Sequence, residues 1–218
     1  MEIFSDQAAS NKKLYQLGFT FAVITIIYNI IEGLVSMWFG YSDESLALFG
    51  FGIDSIVEVI SGIGIAHMII RIRHHQEAQR DRFEKVALKI TGISFFVLTA
   101  GLTISALYNI ITRHRPETTL WGIIISAISI ITMVLLIAGK TKVGKKLDSD
   151  AILADAECTR VCVYMSLILL ISSGIYELTG FIYIDSIGTL GLAYFSFNEG
   201  RECFERIKNK TENTFAQG

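Results

Sequence analysis

The chain has 218 residues, 51% of them hydrophobic and only 18% charged, with a formal net charge of −2 and a mean hydropathy of +0.49. These values place it among membrane proteins; so small a net charge is by itself neutral on nucleic acid, and no nucleic-acid partner is expected. Three cysteines and one proline exclude a disulfide framework and a Cys-x-x-Cys zinc ribbon.

A helix needs about 20 apolar residues to span the hydrocarbon layer. The polar stretch Met1 to Lys13 precedes a first apolar segment too long for a signal-peptide core. Six spans are predicted at 14–39, 45–70, 86–112, 118–139, 149–179 and 182–204. The third (from Ile90) and fourth run without a charged residue; the others contain acids. Those acids are Glu32, then Asp54 and Glu58, then Asp155, Glu157 and Glu177, and finally Asp185 and Glu199. Acids at such depth face a bundle interior, a watery cavity or the interface. Glu177, Asp185 and Glu199, near helix ends, read as interfacial. Glu32 is deeper, with Asn29 a turn before it, and is a candidate cavity residue. All but four of the 19 basic residues then fall on one side. The exceptions are Arg113 and Arg115 opposite, and Lys89 and Arg160 in helices. By the positive-inside bias both termini are cytoplasmic. The expected architecture is all-α and polytopic: a cytoplasmic segment over 1–13, a six-helix domain over 14–204 and a short tail over 205–218.

The inner loop Arg71 to Lys85 holds His74, His75 and Glu77, which can receive a metal ion at the cytoplasmic mouth. Basic loops with a histidine or two are common, and that plainer reading is the stronger. The sequon Asn209-Lys210-Thr211 falls in the predicted cytoplasmic tail and reads as accidental. Small residues at Gly50, Gly62 and Ala66, and at Gly188 and Gly191, are spaced for close helix packing.

Chemistry concentrates in two helical pairs. Asp54 and Glu58 stand four residues apart, as do Cys158 and Cys162, so each pair shares one helix face. A charge at bilayer depth costs roughly 2.5–3.5 kcal/mol on insertion scales. Gly50 and Gly62 bracket the acids in the same row, leaving room for a partner helix and an ion. Asp155 shares the face of Cys158 and Cys162, whereas Arg160 lies about 200° round the helix from Cys158. Two carboxylates and two thiols can close a tetrahedral shell around zinc. Thiolates disfavour magnesium and calcium, so zinc or cadmium fits best, with ferrous iron, cobalt and cuprous copper left open. Each ligand binds metal only after losing its proton, which couples metal and proton. Four ionised ligands would leave −2 around a divalent ion. Either one stays protonated, making binding strongly pH-dependent, or a cation such as Arg160 compensates. A buried cysteine is more often a plain small hydrophobe, but both pairs standing idle together is the weaker reading.

The chain resembles the cation diffusion facilitators. The resemblance rests on Asn29 and Glu32, and on Ser45-Leu46-Ala47-Leu48 leading to Asp54-Ser55-Ile56-Val57-Glu58. Glu84 and Ala87, Ala154-Asp155-Ala156 and Asp185 extend it. It implies six-helix, proton-coupled exporters of divalent transition metals working by alternating access. It also implies a site at Asp54, Glu58, Cys158 and Cys162, where the family commonly has Asp-x-x-x-Asp and His-x-x-x-Asp. The substitutions tilt the preference toward softer ions, and the family's cytoplasmic metal-binding dimerisation domain is expected to be missing. Dimers, usual in the family, would then need a membrane interface or the tail near Cys203.

The expected function is thus zinc or related metal export, with Asp155, Asn29, Glu32, His74 and His75 as accessory residues. It is a secondary transporter rather than an enzyme and needs no cofactor. Its partners are the metal ion, protons, the bilayer (plasma or inner membrane) and a second copy of the chain. The alternatives are a sensor or partner subunit that binds metal without moving it, and a thiol oxidoreductase using Cys158 and Cys162. Against the last, redox pairs favour Cys-x-x-Cys spacing.

Overall fold

A computed structural model describes residues 2–42, 46–74, 80–113 and 120–216. Six helices follow in order: α1 (Glu2–Ser42), α2 (Leu46–His74), α3 (Arg80–Thr112), α4 (Leu120–Leu147), α5 (Asp150–Thr179) and α6 (Ile184–Ala216). Among the described residues, four stretches are long and apolar enough to cross a membrane: Asn11–Ser42, Leu48–Arg73, Arg80–Thr112 and Leu120–Leu147. The acids predicted in α5 and α6 dilute the apolar signal of those two helices, although they match the others in length.

The helices outrun the predicted spans on the basic side. α1 begins at Glu2, α6 continues to Ala216, and α4 runs past Gly139 through Lys140 to Leu147. Lysines are good helix formers, and Lys145 and Lys146 in the last turn of α4 complement its dipole. Lys140, expected in a loop, is therefore helical.

α4 ends in a Schellman turn. Asp148 takes the left-handed conformation (φ 49°), its N–H meets Lys145 O at 3.4 Å, and Ser149 N–H meets Gly144 O at 2.9 Å. This pairing satisfies the last carbonyls and reverses the chain at once. α5 consequently runs antiparallel to α4, in a register that sets Lys140 opposite Thr159.

α2 lies centrally, against α1, α3 and α5. Of its most apolar stretch 56% is buried, against 33–39% in the other three, so polar groups on it are the hardest to hydrate. Ile69, Leu88, Phe95, Ile152 and Val161 are among the residues filling the core beside it. Outwardly, α1 and α2 touch backbone to backbone: a Cβ on Gly52 would stand 2.8 Å from Gly33 O. Gly62 also meets α1, 3.1 Å from Ile26, and Gly188 meets Ile168 of α5 at 2.8 Å. Gly50 and Gly191, expected to make such contacts, face open space, because the contact row on α2 runs through Gly52.

Ion pairs tie four helix ends on the basic side. Arg80 of α3 donates to the carbonyls of Leu147 and Asp148 and pairs with the buried Glu84 at 3.2 Å. Lys210 of α6 reaches Glu84 at 2.8 Å and Asp150 at 3.3 Å, and Arg206 reaches Asp150 at 3.1 Å. Cys203 is buried against Gly92 of α3. His75 lies outside the described residues, as do the side chains of His74, Glu177 and Asp185.

Candidate metal site

On α2, residues 54 and 58 project one above the other toward α5. Asp155, Thr159 and Cys162 of α5 meet α2 side chains from the other side. The structure brings Asp54, Glu58 and Cys162 into contact. Cys162 Sγ is 2.8 Å from Asp54 Oδ2 and 3.0 Å from Glu58 Oε2, donating to both acids. Cys158 is buried one turn before, within electrostatic range of Glu58, Asp155 and Asp54. None of Asp54, Glu58, Cys158 and Cys162 is more than 3% exposed. All four are shielded from solvent.

Among the described residues no three His, Cys, Asp or Glu side chains already form a metal cage. The contacts at Cys162 differ from those of a metal shell. In a tetrahedral zinc shell, sulfur and oxygen ligands stand roughly 3.5 Å apart, given bonds of about 2.3 and 2.0–2.2 Å. Here the thiol closes on the carboxylates more tightly, as a hydrogen-bond donor does.

A second set of contacts adjoins the first. Lys140 Nζ lies 2.8 Å from Asp155 Oδ2, 2.8 Å from Thr159 Oγ1 and 3.9 Å from Glu58 Oε1. Ser61 Oγ donates to Asp155 Oδ1 at 2.8 Å, and Thr159 donates to Glu58 Oε1. Arg160, expected as the compensating cation, instead pairs with Glu157 three residues back, both partly exposed. The cation beside the acids is Lys140. Its signal was present in the sequence: Ser129, Met133, Leu136, Lys140, Val143 and Leu147 form one buried stripe on α4, at three- and four-residue steps.

Glu32 joins from α1, its carboxylate accepting from Tyr28 Oη at 2.9 Å and Ser55 Oγ at 3.2 Å. Asn29 donates to Thr25 O. The buried Thr25 Oγ1, Asn29 Oδ1, Ser36 Oγ and Ser126 Oγ have no hydrogen-bond partner among the described residues. Buried polar atoms normally find a partner, in protein or in ordered water.

The fold and the buried acid–thiol–lysine cluster define a multi-pass α-helical membrane protein with an ionisable centre. The model of the cation efflux transmembrane domain matches residues 20–205, and the chain belongs to the cation efflux family. It is 27% identical over 175 residues to an uncharacterized transporter of Methanocaldococcus jannaschii, covering 78% of this chain and 62% of that protein. It is 29% identical to transmembrane protein 163 of Xenopus laevis (85% and 65% covered). To the manganese efflux system protein MneP of Bacillus subtilis it is 25% identical (86% and 66%). The chain therefore spans just under two thirds of the length of these relatives.

Proposed function

We propose that the chain exports divalent transition-metal ions from the cytoplasm in exchange for protons, with a preference for thiophilic ions such as zinc. Asp54, Glu58, Cys158 and Cys162 are the cargo ligands, and it acts as a secondary transporter rather than an enzyme. The observation that carries this reading is the thiol of Cys162 held between two buried carboxylates of another helix. Carboxylate oxygens and sulfur from two elements can enclose one ion, and their proton is lost as the ion enters. Membership of the cation efflux family supports the transport class. The name of MneP puts manganese efflux among the activities of a relative.

In this mechanism the thiol-to-carboxylate hydrogen bonds represent the protonated state. Arrival of an ion from the cytoplasm displaces the proton, and return of protons from the opposite side weakens the ligands and frees the ion. The cycle is driven by the different affinities of the two facing states. Metal flux into proteoliposomes under a pH gradient tests it. Asp54→Asn and the double variant Cys158→Ser/Cys162→Ser are expected to abolish flux while eluting as folded protein. Flux at the native rate in both would refute the assignment.

A further inference from the structure

Lys140 is the only Lys or Arg among the described residues that is buried, at 2% exposure. Removing an ammonium from water is costly at this depth, and such a group persists only when acids and hydrogen-bond acceptors surround it. All three of its contacts lie on the inner side of the cluster. Asp155 Oδ2 and Thr159 Oγ1 accept its hydrogen bonds, and Glu58 Oε1 stands within ion-pair distance. Asp155 is thereby fully engaged, one oxygen by Lys140 and the other by Ser61. Glu58 is divided, one oxygen toward Lys140 and Thr159, the other toward Cys162.

We propose that Lys140 is a tethered counter-cation that sets the selectivity of the cargo site. It withholds Asp155 from the ion and weakens the grip of Glu58 on any divalent cation. The inference rests on the reading of Asp54, Glu58, Cys158 and Cys162 as cargo ligands. The physical argument has two parts. A fixed positive charge near Glu58 repels a second cation, and in a medium less polarisable than water that repulsion is strong. Asp155 also shares a helix face with Cys158, three residues on. Freed from Lys140, it would add a third carboxylate beside Glu58. A third carboxylate makes the site oxygen-rich, which favours manganese and other hard ions over cadmium and zinc. With Lys140 in place, sulfur decides which ions are held.

A purely structural ion pair and a selectivity device differ in the sign of one result. Manganese and cadmium binding to the purified full chain in detergent, measured by titration calorimetry, reads it out. Lys140→Met is expected to bind manganese about tenfold more tightly, a change of about 1.4 kcal/mol, and to shift the manganese-to-cadmium preference the same way. Lys140→Arg, which keeps the charge, retains the native ranking, and adding Asp155→Asn to Lys140→Met cancels the manganese gain. Asp155→Asn alone leaves Glu58 as the only acid partner of the ammonium, and it weakens both ions alike, by about tenfold. Lys140→Met that elutes as native but binds both ions with unchanged or uniformly weaker affinity overturns the proposal. If Lys140→Met does not fold, unchanged affinity in Asp155→Asn overturns it equally. Asp54→Asn separates the two levels. Native metal binding in that variant defeats the ligand reading itself. Loss there alongside native ranking in Lys140→Met defeats only the role given to Lys140.

Discussion

Two carboxylates that face one buried thiol share a single hydrogen between them. At this site Cys162 supplies the only side-chain donor to Asp54 Oδ2 among the described residues. Truncating it leaves buried acceptors without a partner, which costs about 1–3 kcal/mol. Cys162→Ala is therefore expected to lower the thermal stability of metal-free protein in detergent, and Cys162→Ser, with a hydroxyl donor in the same place, to restore most of it. Equal melting of the two variants would show that the donor contributes nothing. The serine variant still exchanges a soft ligand for a hard one, so its cadmium affinity falls more than its manganese affinity. At this scale the sequence was informative wherever spacing alone fixes a shared face, as for residues 54 and 58 or 158 and 162. It misled at Arg160. The angle round the helix correctly turned that side chain from the site, but a carboxylate three residues back captures it before any distant acid does.

Helix ends were less legible than helix faces. A lysine after an apolar run counts as loop in any tally of charge across the membrane, and Lys140 was assigned that way. Only the buried stripe that continues to Leu147 shows that the helix, and with it a cation, goes on inside the protein. No span count reveals that the Schellman turn at Asp148 fixes the register of α4 on α5. The α1–α2 contact teaches the same lesson. Small residues on α2 were expected to pack closely, but which glycine makes the contact, and against which helix, depends on rotation of the helix. Gly52→Ala puts a Cβ 2.8 Å from Gly33 O and 2.9 Å from Met37 N. Backbone cannot step aside as a flexible side chain can, and the overpacking is expected to destabilise by about 1–3 kcal/mol. Gly50→Ala, with nothing within 4 Å, is expected to be neutral or slightly stabilising, since alanine favours the helix. Thermal unfolding of the pair checks the helix rotation directly, and a reversed order would show α2 turned the other way.

For the whole molecule the question is what holds the helix ends together on the basic side. Arg80, Glu84, Asp150, Arg206 and Lys210 join the basic-side ends of α3, α4, α5 and α6. Burial alone would lower the Lys210 ammonium, but the hydrogen bond and charge of Glu84, with Asp150, outweigh it and raise it above its usual range. A folded value above the unfolded one means that its contribution is complete below the ordinary lysine range, about 10.4. That contribution is lost as pH rises through the folded value. The native protein should thus lose an increment of thermal stability in alkaline buffer that Lys210→Met has already lost at neutral pH. The same substitution shifts the balance of states. If the clamp favours the occluded form, weakening it by about 1.4 kcal/mol raises the inward-open population about tenfold. A membrane-impermeant maleimide reports this in a Cys203→Ser background, where Cys158 and Cys162 are the remaining thiols. Both are shielded in the structure, so the native chain should react slowly from either face, and Lys210→Met about tenfold faster from the face that carries the basic helix ends alone. Equal acceleration from both faces would mean general loosening. No acceleration would mean that these ion pairs do not hold the inner gate.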